Sequence, residues 1–371
     1  MKIVADANMP GLELFAAHGQ VVPVDGRQMK PSTVADADVL LVRSVTQVNA
    51  ELLADSPVRF VGSATIGTDH VDQQWLQETQ RAFAHAPGCN ARAVAEYVLQ
   101  ALLLVCQQQG RVASSLSIGV VGMGNVGRRV AQWMRALGLT VRACDPPLAE
   151  QGVDVGYRLE SIDALLDCDV LTLHVPLTDN GPAATRHLLH QERLAAMGEN
   201  RILINTCRGP VVDNRALESL LREGKGPASV LDVWEEEPHV PGDLLDRVMW
   251  GSPHIAGYSV QGKENGTRMV YDAFCKWRGI VAPEGQKATA LGVLAQDVQD
   301  ESDLLSLLQT TYRLPDDYSR LQESLNEENS AAAFDQLRKN YPLRQEMHRW
   351  LWQGSAAVSF RPILDALFAP G

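Results

Sequence analysis

The sequence predicts an α/β protein: two doubly wound parallel-sheet lobes with a cleft between them, then a small C-terminal α+β domain. Three observations carry this. Short apolar runs alternate with helical patterns, the alternation occurs twice, and the character of the chain changes past residue 283. The runs "KIVAD", "DVLLVRS", "VRFVGSAT", "SIGVVGMG", "TVRACD", "DVLTLHVP", "RILINTC" and "ASVLDVW" are mostly apolar rather than alternating, which suits strands buried on both faces. Strand and helix in alternation imply βαβ units.

Taken in order, residues 1 to about 88 hold the first set of strands. "NARAVAEYVLQALLLVCQQQ" then reads as a long helix with Asn90 as its expected cap. A second set runs from Ser117 to about Trp250, and residues 261–278 read as another helix. The two long helices would join the lobes. The expected domains are therefore 1–90 with 257–283, 91–256, and 284–371. "APEGQKATALG" is linker-like. Beyond it, "LLSLLQTTYRL" and "AAAFDQLRKNY" carry apolar helix faces with little core of their own, so a dimerisation unit and a homodimer are expected.

The 371 residues suit two or three domains, and 45% hydrophobic with 21% charged residues is a globular balance. A formal net charge of -12 gives no electrostatic case for nucleic acid or an anionic membrane as partner. The six cysteines form no CxxC pair and no Cys/His cluster at metal spacing, so no metal is expected. "MKIVADANMPGLELF" lacks a signal-peptide core and "YVLQALLLVC" falls far short of a membrane span, so a cytoplasmic protein is expected.

"SIGVVGMGNVGRRVAQWMRALG" sets an apolar strand before Gly122, Gly124 and Gly127 and a helix after them. Those glycines allow a tight turn, close approach of backbone to a pyrophosphate, and close helix–strand packing. The helix start at Asn125 and Val126 then offers N–H groups and a positive dipole end to phosphate. The next strand ends in Asp145, whose carboxylate suits ribose hydroxyls and repels a 2′-phosphate. Pro146 and Pro147 follow, with no arginine to clamp that phosphate. NAD is therefore favoured over NADP, on a Rossmann-like domain at 91–256.

Arg208, Glu237 and His254 each lie just beyond the end of a predicted strand, where open α/β sheets place ligands. Taken singly, the arginine reads as an ion pair, the glutamate as part of the solvated run Glu235-Glu236-Glu237, and the histidine as a loop residue. Jointly they suit oxidation of a 2-hydroxy acid. Arg208 can fork onto a carboxylate and the C2 oxygen, His254 can take the hydroxyl proton, and Glu237 can orient the imidazole.

"INTCRGPVVDNRAL", "LDVWEEEP" and "SPHIAGYS" resemble the signature blocks of the D-isomer-specific 2-hydroxyacid dehydrogenases over roughly residues 1–280. The resemblance implies the roles above for Arg208, Glu237 and His254, NAD between two lobes, and a dimer. "MKIVADANMP", "VRSVT", "GTDHVD", "APGCNA", "CDPP", "HIAGYS" and "FDQLRKNYPLR" resemble one branch of that family, which oxidises a phosphorylated D-2-hydroxy acid with NAD in vitamin B6 biosynthesis. By that resemblance Ser44, Thr65 and Tyr258 contact substrate, and Asp145, Val175, Thr206, Cys207, Arg208, Asp232 and Gly257 line the cofactor. Arg43, Arg338, Lys339 and Arg344 are candidate phosphate partners. Two alternatives stay open: another 2-hydroxyacid dehydrogenase, or, from a different class, an NAD-sensing corepressor-like module.

Overall fold

The computed structural model describes residues 1–285 and 289–370, so the middle of the linker-like stretch, 286–288, lies outside the described residues. Two compact units form: Met1–Asn90 with Ser259–Lys287, and Ala91–Tyr258 with Ala288–Gly371.

The first unit is built on a five-stranded sheet of β1 (Lys2–Asp6), β2 (Gln20–Val24), β3 (Val39–Val42), β4 (Phe60–Ser63) and β5 (Ala82–His85), in the order β2-β1-β3-β4-β5. All pairs are parallel. β3 and β4 are buried along their whole length, as their unbroken apolar runs require. The run patterns do not single out β2 or β5. β2 contains Pro23, which cannot donate to a ladder, and it lies at the sheet edge where that costs nothing.

The second unit carries β6 (Ser117–Val121), β7 (Thr140–Cys144), β8 (Val170–Leu173), β9 (Ile202–Asn205), β10 (Ala228–Leu231) and β11 (Trp250–Gly251). Their order, β11-β10-β9-β8-β6-β7, reverses direction between β6 and β8. That switch point opens a crevice beyond the carboxyl ends of the strands.

Four helices frame the two sheets: α1 (Ala91–Gln109), α2 (Asn125–Leu137), α3 (Asn214–Arg222) and α4 (Val260–Arg278). α2 buries Val130, Trp133, Met134 and Leu137, the 3.6-residue stripe of its sequence, and ends at Gly138 in a left-handed conformation. α4 starts where the Ser259 hydroxyl accepts the Gly262 N–H. The α1 cap differs from expectation, since Asn90 Oδ1 is buried without a hydrogen-bond partner.

After residue 288 come α5 (Glu301–Leu308), α6 (Leu314–Ser324), α7 (Ser330–Lys339), α8 (Arg361–Phe368) and a two-stranded parallel pair, Val293–Leu294 with Leu351–Trp352. The expected helix "LLSLLQTTYRL" is two helices. Gln100 on α1 takes the Leu314 N–H and donates to the Tyr312 carbonyl, which pins the break. Leu304, Leu307, Ile363 and Leu367 share one core with α1 and α2. All six cysteines are buried free thiols. No described helix is long and apolar enough to cross a membrane.

Candidate active site

The three fingerprint glycines have three different reasons. Gly122 sits at φ +90, and a Cβ there would meet the His174 carbonyl oxygen at 2.5 Å. A Cβ on Gly127 would lie 1.8 Å from the Gly122 oxygen, so that position is closed to any side chain. Gly124, the residue before α2, has nothing within 4 Å of its Cβ direction, so its face is open. The cradle lies at the β6/β8 switch point. Asn125 and Val126 open α2, and Val175 follows β8 with a methyl 2.9 Å from the Gly122 Cβ direction.

Asp145 directly follows β7 and supports the cradle: one oxygen accepts Met123 N–H at 2.8 Å, the other Leu148 N–H at 3.1 Å. Each carboxylate oxygen keeps a further lone pair for a ligand hydroxyl. Thr206 Oγ1 is buried with no partner, a donor and acceptor left for something outside the protein. An open glycine face, a helix start and an orphaned hydroxyl at one crevice fit a dinucleotide.

The reactive side chains come from three neighbouring strand ends. β9 delivers Thr206, Cys207 and Arg208. Asn205 braces that turn, accepting Cys207 N–H at 3.1 Å and donating to the Arg208 carbonyl at 3.0 Å. Arg208 Nη1 donates to the Cys207 carbonyl at 2.7 Å, which folds the guanidinium over its own turn. Gly209 is needed because a Cβ there would lie 1.9 Å from the Trp234 carbonyl, so the loops after β9 and β10 touch. Asp213 then caps α3 by accepting Ala216 N–H.

Glu237 follows β10. One oxygen accepts Trp234 N–H at 2.8 Å and the other accepts from His254 Nδ1 at 2.7 Å. That bond sets the tautomer, which makes Nε2 the ring's proton acceptor. Burial pushes the Glu237 carboxyl up, but the His254 charge and hydrogen bond, the Trp234 N–H and Arg338 outweigh it and hold it below its ordinary value. The acidic run separates into three roles. Glu235 bonds His187 and the Asn214 N–H, Glu236 is exposed beside Arg215, and Glu237 faces His254. His187, Asp213 and Glu235 place ligating atoms within 4.8 Å of one another. Protein partners account for them: the His187–Glu235 bond, the Asp213 cap and the Glu235–Asn214 bond.

His254 has φ +58, a left-handed backbone costing about 1–3 kcal/mol in a residue with a side chain. Asp232, at 1% exposure, holds it there. Its main-chain oxygen accepts His254 N–H at 2.7 Å, and its carboxylate accepts Ile255 N–H, Ala256 N–H and the Ser252 hydroxyl. Burial pushes the Asp232 carboxyl up. Gly257 and Tyr258 continue the loop, with the Tyr258 N–H on the Ile255 carbonyl at 2.7 Å. Arg338 of α7 stands 5.9 Å from the Tyr258 ring centre and 5.9 Å from that of Phe334.

Arg344 is not a ligand-facing cation, contrary to the sequence expectation. It is 3% exposed, and its guanidinium is taken up by the Ala256 and Ala93 carbonyls. In the first unit, Ser44 is exposed, and Thr65 donates to the Gly67 carbonyl at 2.8 Å while sharing a hydrogen bond with Ser63. Sequence reasoning misses Lys263. Burial, then the charge of Arg43, push its ammonium down to about 8. The available signal was a lysine in the first turn of a helix, where the dipole disfavours a cation.

A glycine cradle at the switch point beside an imidazole–carboxylate pair defines the class, a nicotinamide-dependent dehydrogenase. Residues 105–256 match the family described as D-isomer specific 2-hydroxyacid dehydrogenase, NAD binding domain, and residues 289–358 match a domain of unknown function. A Thermus thermophilus protein of solved structure superposes with a TM-score of 0.63 at 26% identity, covering 76% of this chain and 99% of its own. D-lactate dehydrogenase from Aquifex aeolicus, solved with NAD and lactic acid, does so with a TM-score of 0.61 at 24% identity, over 75% and 96%. Erythronate-4-phosphate dehydrogenase of Marinobacter nauticus is 46% identical across 93% of both chains. Its namesake in Escherichia fergusonii is 43% identical across 93% of this chain and 92% of its own. The chain belongs to the D-isomer specific 2-hydroxyacid dehydrogenases, in the branch formed by these erythronate-4-phosphate dehydrogenases.

Proposed function

We propose that this chain oxidises 4-phospho-D-erythronate to (R)-3-hydroxy-2-oxo-4-phosphooxybutanoate with NAD, a step of pyridoxal 5′-phosphate biosynthesis, as a cytoplasmic homodimer. Near-complete coverage of the erythronate-4-phosphate dehydrogenases, tail included, carries the choice of substrate. The His254–Glu237 bond at 2.7 Å supports the chemistry.

Gly122, Gly124, Gly127, Asn125 and Val126 would hold the pyrophosphate, Asp145 the ribose, and Val175, Thr206, Cys207, Asp232 and Gly257 the remainder of the dinucleotide. Bound NAD supplies the hydride acceptor. Arg208 forks onto the substrate carboxylate and C2 oxygen, fixing the hydroxyl. His254 Nε2 takes the hydroxyl proton as C2 is oxidised. Glu237 stays ionised and stabilises the imidazolium that forms. Ser44, Thr65 and Tyr258 contact the substrate. Arg43, Lys263 and Arg338 are the cations proposed for its phosphate.

The test is nicotinamide reduction by the purified protein, with a 2-oxo acid added to reoxidise bound NADH. Reduction by 4-phospho-D-erythronate is expected. Rapid reduction with 3-phosphoglycerate alone would replace the substrate, and silence with every hydroxy acid would favour a binding module.

A further inference from the structure

The unusual backbone around His254 is held from two sides. Asp232 takes the N–H groups of residues 255 and 256 and supplies the acceptor for residue 254. The carbonyl side is held by the C-terminal segment. Arg344 Nη1 donates to the Ala256 carbonyl at 3.0 Å, and Nη2 donates to the Ala93 carbonyl in the first turn of α1 at 2.7 Å. The guanidinium lies 4.2 Å from the Tyr312 ring centre and 3.6 Å from the Glu96 carboxylate, which is itself 3% exposed. Residue 256 is thus gripped at both its polar groups, N–H by Asp232 and carbonyl by Arg344, two residues beyond the left-handed His254. A strained conformation of this kind persists only where its surroundings over-determine it.

We propose that Arg344 is a positioning residue for the His254 loop. By clamping the Ala256 carbonyl to α1, it fixes where the imidazole presents Nε2, and so gives the segment of unknown function a part in catalysis. Lysine could reach one carbonyl but not fork onto both. Half an ångström of loop drift at a general base is enough to cost rate, since about 1 Å of misplacement costs up to about a hundredfold. The proposal rests on the reading of His254 as the proton-transfer group.

The test compares full-length variants labelled with carbon-13 in the histidine rings, the His254 resonance being assigned with His254→Gln. Arg344→Met is combined with Glu96→Gln, so that no uncompensated carboxylate stays in the core. Arg344→Lys keeps the charge facing Glu96 and supplies a second, milder perturbation. Leu165→Ala is the control: Leu165 is fully buried and packs in a core separate from the one that holds Ile255 and Ala256. In Arg344→Met/Glu96→Gln the His254 resonance is expected to move and broaden. Its kcat falls about tenfold or more, the KM for NAD holds within about threefold, and the deuterium isotope effect from C2-labelled substrate rises. Arg344→Lys lies between this variant and the wild type. Leu165→Ala loses melting temperature but keeps the wild-type resonance and isotope effect. A folded double variant with unchanged resonance and kcat would overturn the proposal. So would a Leu165→Ala variant that disturbs His254 equally, because loosening anywhere in the core would then suffice. If the wild type oxidises no hydroxy acid, the functional reading fails, and the resonance comparison still decides whether Arg344 positions the loop.

Discussion

Glu237→Gln removes one charge from the site and almost no volume. The carboxylate accepts from both Trp234 N–H and His254 Nδ1, at 2.8 and 2.7 Å. Glutamine has one acceptor oxygen. If it faces His254, its NH2 meets the Trp234 N–H, donor against donor. Two unit charges about 4 Å apart at an effective dielectric near 20 interact by about 4 kcal/mol. The His254 and Glu237 side chains are 31% and 21% exposed, so solvent screens part of that, leaving about 2 kcal/mol for the imidazolium formed in the reaction. Charge-assisted hydrogen bonds are worth about 1.5–3 kcal/mol by independent measure, which agrees. At 1.36 kcal/mol per tenfold, the oxidation step should slow about thirtyfold. Single-turnover reduction of NAD is the assay, since slow departure of NADH then masks nothing. A loss below about threefold would refute the idea that the Glu237 charge supports His254.

Gly127→Ala should fail to fold or lose at least about 1–3 kcal/mol, because its methyl meets a backbone oxygen. Gly124→Ala should keep its melting temperature within a few degrees but lose about tenfold or more in NAD affinity, read by tryptophan quenching, because its methyl points to the open ligand face. Burial pushes the Glu96 carboxyl from 4.5 up to about 7, against the pull of Arg344. The folded state then holds the proton more tightly, so the stability linked to this group is full below pH 4.5 and lost as pH rises through 7. Glu96→Gln, which can still accept the Met347 N–H, should flatten that dependence in melting temperatures taken across the window. The Glu237 carboxyl, held below its ordinary value of 4.5, has the opposite sign: its contribution is present above pH 4.5 and lost as pH falls through the lower folded value. Melting of Glu237→Gln should lack that acid limb.

What could be read from the chain was whatever local spacing determines. "KIVAD" is β1 residue for residue, its apolar Ile3, Val4 and Ala5 flanked by Lys2 and Asp6. The glycine spacing is legible because part of its demand is local: Gly122 takes φ +90 and Gly127 packs on the Gly122 oxygen five residues away, although the approach of His174 to Gly122 comes from a distant strand. The Arg208, Glu237 and His254 blocks could be placed beyond strand ends, and the structure joins Glu237 to His254. The pairings set by distant segments were not legible. Nothing local says that Gln100 would split a helix at Leu314, or that Arg344 would turn inward to Ala256 and Glu96 instead of outward to solvent. Composition likewise cannot separate Glu235, Glu236 and Glu237, which differ only in the side chain each meets.

The central claim is that this site takes hydride from C2 of a phosphorylated 2-hydroxy acid. It is tested by incubating the protein with NAD and C2-deuterated 4-phospho-D-erythronate. One deuterium should appear at C4 of the nicotinamide for each 2-oxo acid formed, with no transfer in His254→Gln on the same timescale. Reduced nicotinamide without the label, or label released to water, would contradict it.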